Sequence, residues 1–151
     1  MRAVVQRVTS SSVSTGAKVI GRISSGLCIF LGVGRNDTEK DVEWIVNKII
    51  GLRIFEDEDG KMNKSLVESG GAVLLVSQFT LYGDCRKGRR PSFGGAASPE
   101  TAKKLYERCC DQFRANNIEI ETGRFQSYMH VNIDNDGPVT FIINSPGSEK
   151  E

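Results

Sequence analysis

MHVNIDNDGPVTFIIN, residues Met129–Asn144, sets two alternating stretches on either side of a Gly-Pro pair. MHVNI and VTFIIN carry the period-two pattern of half-buried strands. Between them NDGPVT, Asn135–Thr140, gathers Asn, Asp, Gly and Pro, each suited to a turn for its own steric reason. Proline removes a backbone donor and fixes φ at about −65°, so within a sheet it is tolerated at the first residue of a strand. The segment therefore reads locally as a turn, with Asn-Asp-Gly as hairpin chemistry. How it is used decides how the last strands join the sheet.

The rest of the chain supplies their partners. RAVVQRVTSSSVS and KVIGRI read as strands broken at Thr15-Gly16, and GLCIFLGVG as a buried strand. Thr38 followed by Asp41 resembles a capping box, and Val42, Ile45, Val46 and Ile49 recur at helical spacing, so the pattern predicts a helix over about Thr38 to Ile50 with Trp44 on its flank. LRIF is a short strand that ends in EDEDG. These acids do not make a calcium loop, because EDEDGKMNKSLV lacks alternating ligands closed by a Glu, and a solvated turn is expected. Gly70-Gly71 punctuates, and AVLLVSQFTLY reads as one strand. GDCRKGRRPSFGGAAS has loop composition. Ser98 and Pro99 then start a second helix with Ala102, Leu105, Tyr106, Cys109 and Phe113 as its apolar stripe and Asn116-Asn117 as its end. IEIET, SYMHVNI and VTFIIN close the fold as strands. The pattern predicts an α/β fold: one compact domain over residues 1–144, antiparallel-rich, with two main helices. SPGSEKE, residues 145–151, is expected to be a frayed, flexible tail.

The totals narrow the chemistry. At 151 residues the chain is long enough for a real core. Lys+Arg 20 against Asp+Glu 19 leaves a net charge of +1, so any contact with nucleic acid has to be local. Cys28, Cys85, Cys109 and Cys110 show no CxxC spacing, and His130 is the only histidine, which argues against zinc and for reduced thiols in cytoplasm. Arg2 and Arg7 interrupt any signal-peptide core, and no run approaches a membrane span. No cofactor or metal is expected.

Catalytic templates fare poorly. His130 is the only base for a serine triad, lies in an alternating strand, and faces no Gly-x-Ser-x-Gly elbow. GVGRND, Gly32 to Asp37, lacks both a P-loop lysine and the GxGxxG pattern. Two stretches remain. SQFTLYGD, Ser77–Asp84, gathers polar side chains at the end of an apolar strand; Thr80 there is either a nucleophile, for which no base is evident, or a β-favoured strand residue. CRKGRRP packs Arg86, Lys87, Arg89 and Arg90 into one loop, suited to phosphate oxygens or simply to solvent. Stacking on bases would have to come from outside this loop, from Phe79 or Phe125.

Taken in order, MRAVVQRV, LRIFEDEDGKMN, SQFTLYGDCRKGRRPSF and NDGPVT closely resemble the D-aminoacyl-tRNA deacylases over about Met1 to Asn144. The resemblance implies small α/β subunits whose sheets pack into a barrel-like core, paired as a homodimer. It also implies a cis Gly137-Pro138 peptide, inserted into the partner's active site with its carbonyls turned toward the substrate. The implied reaction is hydrolysis of the ester joining a D-amino acid to the 3′ end of tRNA, as chiral proofreading in translation. Glycyl-tRNA, having no side chain to reject, is implied as a second substrate.

By the same resemblance Ser77, Gln78, Phe79, Thr80 and Leu81 line the pocket, and the amides near Phe79 and Thr80 hold the ester carbonyl. The 2′-hydroxyl of the terminal adenosine assists water, so Thr80 positions before it attacks. Ala102, Phe125 and Met129 fall where the family lines its adenosine and aminoacyl sites, and Arg7 where a side chain braces the Gly-Pro segment. Arg86, Lys87, Arg89 and Arg90 have tRNA phosphates as natural partners. Gln126-Ser127-Tyr128 departs from the smaller residues common in relatives and puts local pocket detail in question. Two alternatives stand: the editing of L-alanyl-tRNA found in a sister group, which carries a different motif in place of SQFTL, and a nucleic-acid-binding module without catalysis.

Overall fold

The computed structural model describes residues 1–147. Its organising strand is β1, Arg2–Thr15, which is shared among three neighbours. One edge pairs antiparallel with β3 (Gly26–Gly32) and then with β2 (Lys18–Ile23), while the other edge runs along β8 (His130–Asn144). β6 (Ala72–Ser77) lies parallel to β3, and β7 (Ile120–Thr122) parallel to β6. Parallel neighbours need a crossover. The two main helices supply it: α1 (Glu39–Gly51) lies between β3 and β6, and α3 (Pro99–Ala115) between β6 and β7.

Both helices bury their stripes on one face of the sheet. Val42, Ile45, Val46 and Ile49 of α1 and Leu105, Tyr106, Cys109 and Phe113 of α3 meet Ala3, Val5, Ile29, Leu31, Val73 and Leu75 in one core. The opposite face curls on itself around a second core of Val8, Val13, Ile23, Cys28, Leu74 and Val76. That curl brings β2 against β7, and Gly21 permits it: a Cβ there would stand 2.9 Å from the Thr122 carbonyl oxygen. The result is a nearly closed, barrel-like mixed sheet with helices on one side: an α/β fold, as the pattern predicts, with the barrel-like core that the resemblance implies. No helix among the described residues is long and apolar enough to cross a membrane.

Local expectations hold in most places. Thr38 and Asp41 form the capping box of α1, and the Ser98 hydroxyl caps α3 by accepting from the Thr101 amide. EDEDG is a turn in which Asp57 Oδ1 accepts from the amides of Asp59 and Lys61, both at 2.9 Å. It joins β4 (Phe55–Glu56) to β5 (Met62–Lys64). Ser65 and Glu68 box a short additional helix, α2 (Leu66–Ser69).

Three expectations are corrected. AVLLVSQFTLY is not one strand: β6 stops at Ser77, its last pair with β3 being Leu31, and Phe79–Tyr82 coil into a 3₁₀ turn. SYMHVNI pairs only from His130 onward. NDGPVT does not reverse the chain. Both halves of β8 pair with β1 in a single line, Thr140 with Gln6 and Asn135 with Val8, so that Asp136–Val139 bulge from the ladder opposite Arg7. The turn residues are spent on a bulge. Gly137 has φ +140, a value open to glycine, and its peptide to Pro138 is cis.

At the end of β8, where a tail was expected, Ser145 is fully buried. Its hydroxyl donates to Asp41 Oδ1 at 2.7 Å and accepts from the Met1 ammonium at 2.6 Å. Residues 148–151 of that tail lie outside the described residues.

Candidate active site

The end of β6 opens onto a cavity of about 740 Å³. Its floor is Val76, Ser77 and Gln78; the 3₁₀ turn adds Phe79, the first turn of α3 adds Ala102, and the loop before β8 adds Phe125 and Met129. The chain reaches this shape for local reasons. Gln78 still donates to the Leu31 carbonyl at 2.9 Å, as a strand residue would, and the turn then closes through Gly83 N to Thr80 O, also 2.9 Å. Tyr106 ties α3 to β6 by donating to the Leu75 carbonyl at 2.7 Å, and its ring supports Phe125 with centroids 6.1 Å apart. Between β7 and β8, Gln126 adopts a left-handed φ of +57, and the Arg124 amide donates to Met129 Sδ at 3.3 Å.

Ser77, Gln78, Phe79, Ala102, Phe125 and Met129 are therefore brought together around one hollow. Thr80 and Leu81 continue the turn past its lining, and Thr80 is exposed. Its hydroxyl accepts from the Gln78 side-chain amide, which cannot take a proton from it. Gln126, Ser127 and Tyr128 line the rim, and Tyr128 is 84% exposed with its ring edge-on to His130, so its bulk does not fill the hollow.

Arg7 and Gly137-Pro138 lie apart from this lining. Arg7 is only 5% exposed; it donates to the Ile54 carbonyl at 2.8 Å and to the Asp136 carbonyl at 3.1 Å, and pairs with Glu56 and with the Asp136 carboxylate. It thus grips the base of the bulge that carries Gly137-Pro138, while both of those residues are exposed. Arg86, Lys87, Arg89 and Arg90 are also exposed, on a loop closed by reciprocal Asp84–Ser92 backbone bonds of 2.7 and 3.0 Å.

Electrostatics leave the cavity without a built-in base or thiolate. Burial pushes the Cys28 and Cys109 thiols up, and Cys110 up to about 11. Burial raises the Tyr106 hydroxyl as well. All four cysteines are unpaired, and only Cys85 is exposed. Among the described residues no group of His, Cys, Asp and Glu converges as metal ligands.

One aromatic lining residue escaped the sequence reading. Phe93 stands edge-on to Phe79 with centroids 5.0 Å apart, and the pair frames the mouth. The loop behind it is fastened by Arg35 N to Gly95 O at 2.9 Å, by the Arg35 side chain on the Gly94 carbonyl, and by Ala97 N to Val33 O at 3.0 Å. An aromatic just after RRPS was the available signal.

The family model described as D-Tyr-tRNA(Tyr) deacylase matches residues 4–144. The D-aminoacyl-tRNA deacylase of Thermosipho melanesiensis is 60% identical across 96% of this chain and 97% of its own, and that of Thermotoga petrophila 56% across the same shares. Among solved structures, the c-Myc DNA Unwinding Element Binding Protein superposes with a TM-score of 0.91 at 44% identity, covering 97% of this chain and 99% of that one. The matched span runs through every strand and both main helices, and with relatives this similar over nearly their whole length, the chain belongs to the D-Tyr-tRNA(Tyr) deacylase family.

Proposed function

We propose that the protein hydrolyses the ester of D-aminoacyl-tRNA, releasing the free D-amino acid and tRNA, and that it does so in the cytoplasm as proofreading for translation. The observation that carries this reading is a division of labour in the fold. The cavity at the end of β6 has apolar walls, amides and hydroxyls but no base, while Gly137-Pro138 is held out from the same subunit by Arg7, away from that cavity.

Such a site suits a substrate that brings its own reactivity. The terminal adenosine packs between Phe125, Met129 and Ala102, the amides of Phe79 and Thr80 face the ester carbonyl as charge develops on it, and the 2′-hydroxyl of the adenosine helps water attack. Ser77, Gln78, Thr80 and Leu81 hold that geometry. Handedness is judged by main chain: carbonyls of Gly137 and Pro138 from a second subunit approach the α-carbon, accept its hydrogen, and exclude an L side chain by clash and by desolvation of oxygens left unpaired. Glycyl-tRNA passes this test and is a second substrate.

A homodimer follows from the same logic, and the sheet carries a surface for it. Ile142 is 69% exposed and pairs with Val4, which pairs in turn with Phe30, so these apolar side chains share one face of the sheet. Beside them the Gln6 Oε1 is buried with no partner. The loop that carries Arg86, Lys87, Arg89 and Arg90 runs along the tRNA strand, with Lys87, Arg89 and Arg90 at its phosphates.

The test is the rate on matched D- and L-tyrosyl-tRNA. Release of D-tyrosine at least about a hundredfold faster than L-tyrosine, on the order of 2.7 kcal/mol in barrier, is expected. Cleavage of L-alanyl-tRNA in preference would place the chain with the sister activity, and salt-sensitive RNA binding without hydrolysis would leave a binding module only.

A further inference from the structure

A second hollow, of about 620 Å³, opens beside the cavity, with Arg2, Tyr82, Asp84 and Arg86 in its lining. The two share a wall. Consecutive residues Gly95 and Ala96 line one each, and Phe93 of the cavity lies against Gly83 of the hollow, where a Cβ would stand 3.2 Å from the Phe93 ring. A polynucleotide whose end lay in the cavity would have this hollow as its neighbour across the Phe93 wall.

Its chemistry is that of a base seat rather than a phosphate seat. Arg2 is fixed from three directions: Nε donates to Asn144 Oδ1 at 2.9 Å, Nη1 donates to the Leu81 carbonyl at 2.8 Å, and the guanidinium lies 5.2 Å from the centre of the Tyr82 ring. A guanidinium plane held this way is a stacking surface for a base. In the same lining Arg86 donates through Nε to Asp84 Oδ1 at 2.9 Å and through Nη2 to Oδ2 at 2.7 Å, with its amide also on Oδ1 at 2.9 Å. These bonds hold the Asp84 carboxyl down to about 2, so it stays ionised.

The Asp84 carboxylate is an acceptor, for which a phosphate has no donor to give. Set beside a guanidinium, it matches a base edge with an amino donor next to ring and carbonyl acceptors, as on cytosine, whose N4 amine is a usual partner of Asp. Every mature tRNA carries cytidine just before its terminal adenosine.

We infer that this hollow seats the penultimate cytosine of the tRNA 3′ end: its N4 amine donates to Asp84, its N3 and O2 accept from Arg86, and its ring stacks on Arg2. The assignment rests on the deacylase reading above.

The experiment uses the full chain and microhelix RNAs that carry D-tyrosine through a stable amide at the 3′ end, with cytosine or uracil at the penultimate position. Replacing cytosine by uracil is expected to weaken wild-type binding about tenfold. In Asp84→Asn, whose amide can also donate to uracil O4, the preference for cytosine is expected to shrink by about threefold and not to vanish, because N3 accepts from Arg86 only in cytosine. Cys85 lies in the wall of the hollow and the other three cysteines are buried, so alkylation by N-ethylmaleimide reports on the seat directly. The cytosine microhelix is expected to slow it. Equal wild-type affinity for both RNAs, or alkylation unslowed at saturation, overturns the assignment. D-tyrosyl-adenosine amide serves as the separate check: if wild type fails to bind even that, the deacylase reading itself fails and takes the cytosine seat with it.

Discussion

Thr80 stands in a hydroxyl-rich motif, yet its neighbour is the Gln78 amide and not a base. A hydroxyl without a base is a weak nucleophile, so Thr80→Ala is expected to slow turnover about tenfold, on the order of 1.4 kcal/mol, and not to abolish it. Single-turnover hydrolysis measures this, and a fall to background would make Thr80 the nucleophile. Ala102, on the first turn of α3, faces the hollow directly. Ala102→Phe is expected to cost at least about a hundredfold in kcat/KM by displacing the adenosine; unchanged kinetics would put the substrate elsewhere. At this scale the residue types alone did not disclose the site. Ser77, Gln78, Phe79 and Ala102 were placed through resemblance, because a site with no acid, base or metal leaves no chemical signature in a single sequence. Phe93 went unseen because its pairing with Phe79 depends on a loop that Asp84 and Ser92 close.

Elements were legible where the stabilising contacts are near in sequence. α1 announced itself through Thr38, Asp41 and a four-residue apolar stripe, and all of them do what the pattern predicts. Burial acts to raise the Asp41 carboxyl, but hydrogen bonds from Ser145 and Thr38 outweigh it and hold the group below its ordinary value of 3.8. A carboxylate whose folded pKa is lowered stabilises above its unfolded value and loses that contribution as pH falls through the folded one. Asp41→Ala should therefore cost about 1 kcal/mol at neutral pH, read by urea denaturation, and the gap from wild type should narrow below pH 3.8. A gap that stays constant into acid would mean that the charge of Asp41 does nothing for the cap. The less legible elements were those set by distant partners. SQFTLY has a strand's composition, but the β3–β6 ladder ends at the pair Leu31–Ser77 and Phe79–Tyr82 coil away. Asn135-Asp136-Gly137-Pro138 has a turn's composition, and only the register against β1 turns it into a bulge.

For the whole molecule, strand and helix order foreshadowed an α/β domain with two main helices, and resemblance supplied the barrel-like core, whereas the parallel pairs of β3 with β6 and β6 with β7 were not foreseen. Ile142, Val4 and Phe30 make an apolar surface that a subunit by itself leaves partly in water. Gly137-Pro138 is exposed on a bulge outside the cavity lining of its own chain. These two features belong together if each cavity is completed by the neighbouring chain's bulge. Gly137→Ala disables the donated bulge, since φ +140 suits glycine and a Cβ there would stand 2.7 Å from Val139 Cγ2. Ala102→Phe disables the receiving cavity. The measurement that tests this sharing most directly is the D-tyrosyl-tRNA deacylase rate of the two inactive variants, refolded together in equal amounts. Half of the random dimers then pair an intact cavity with an intact bulge at one of their two sites, so recovery to about a quarter of wild-type activity is predicted. No recovery, with mixed dimers demonstrably formed, would contradict a site built from two chains.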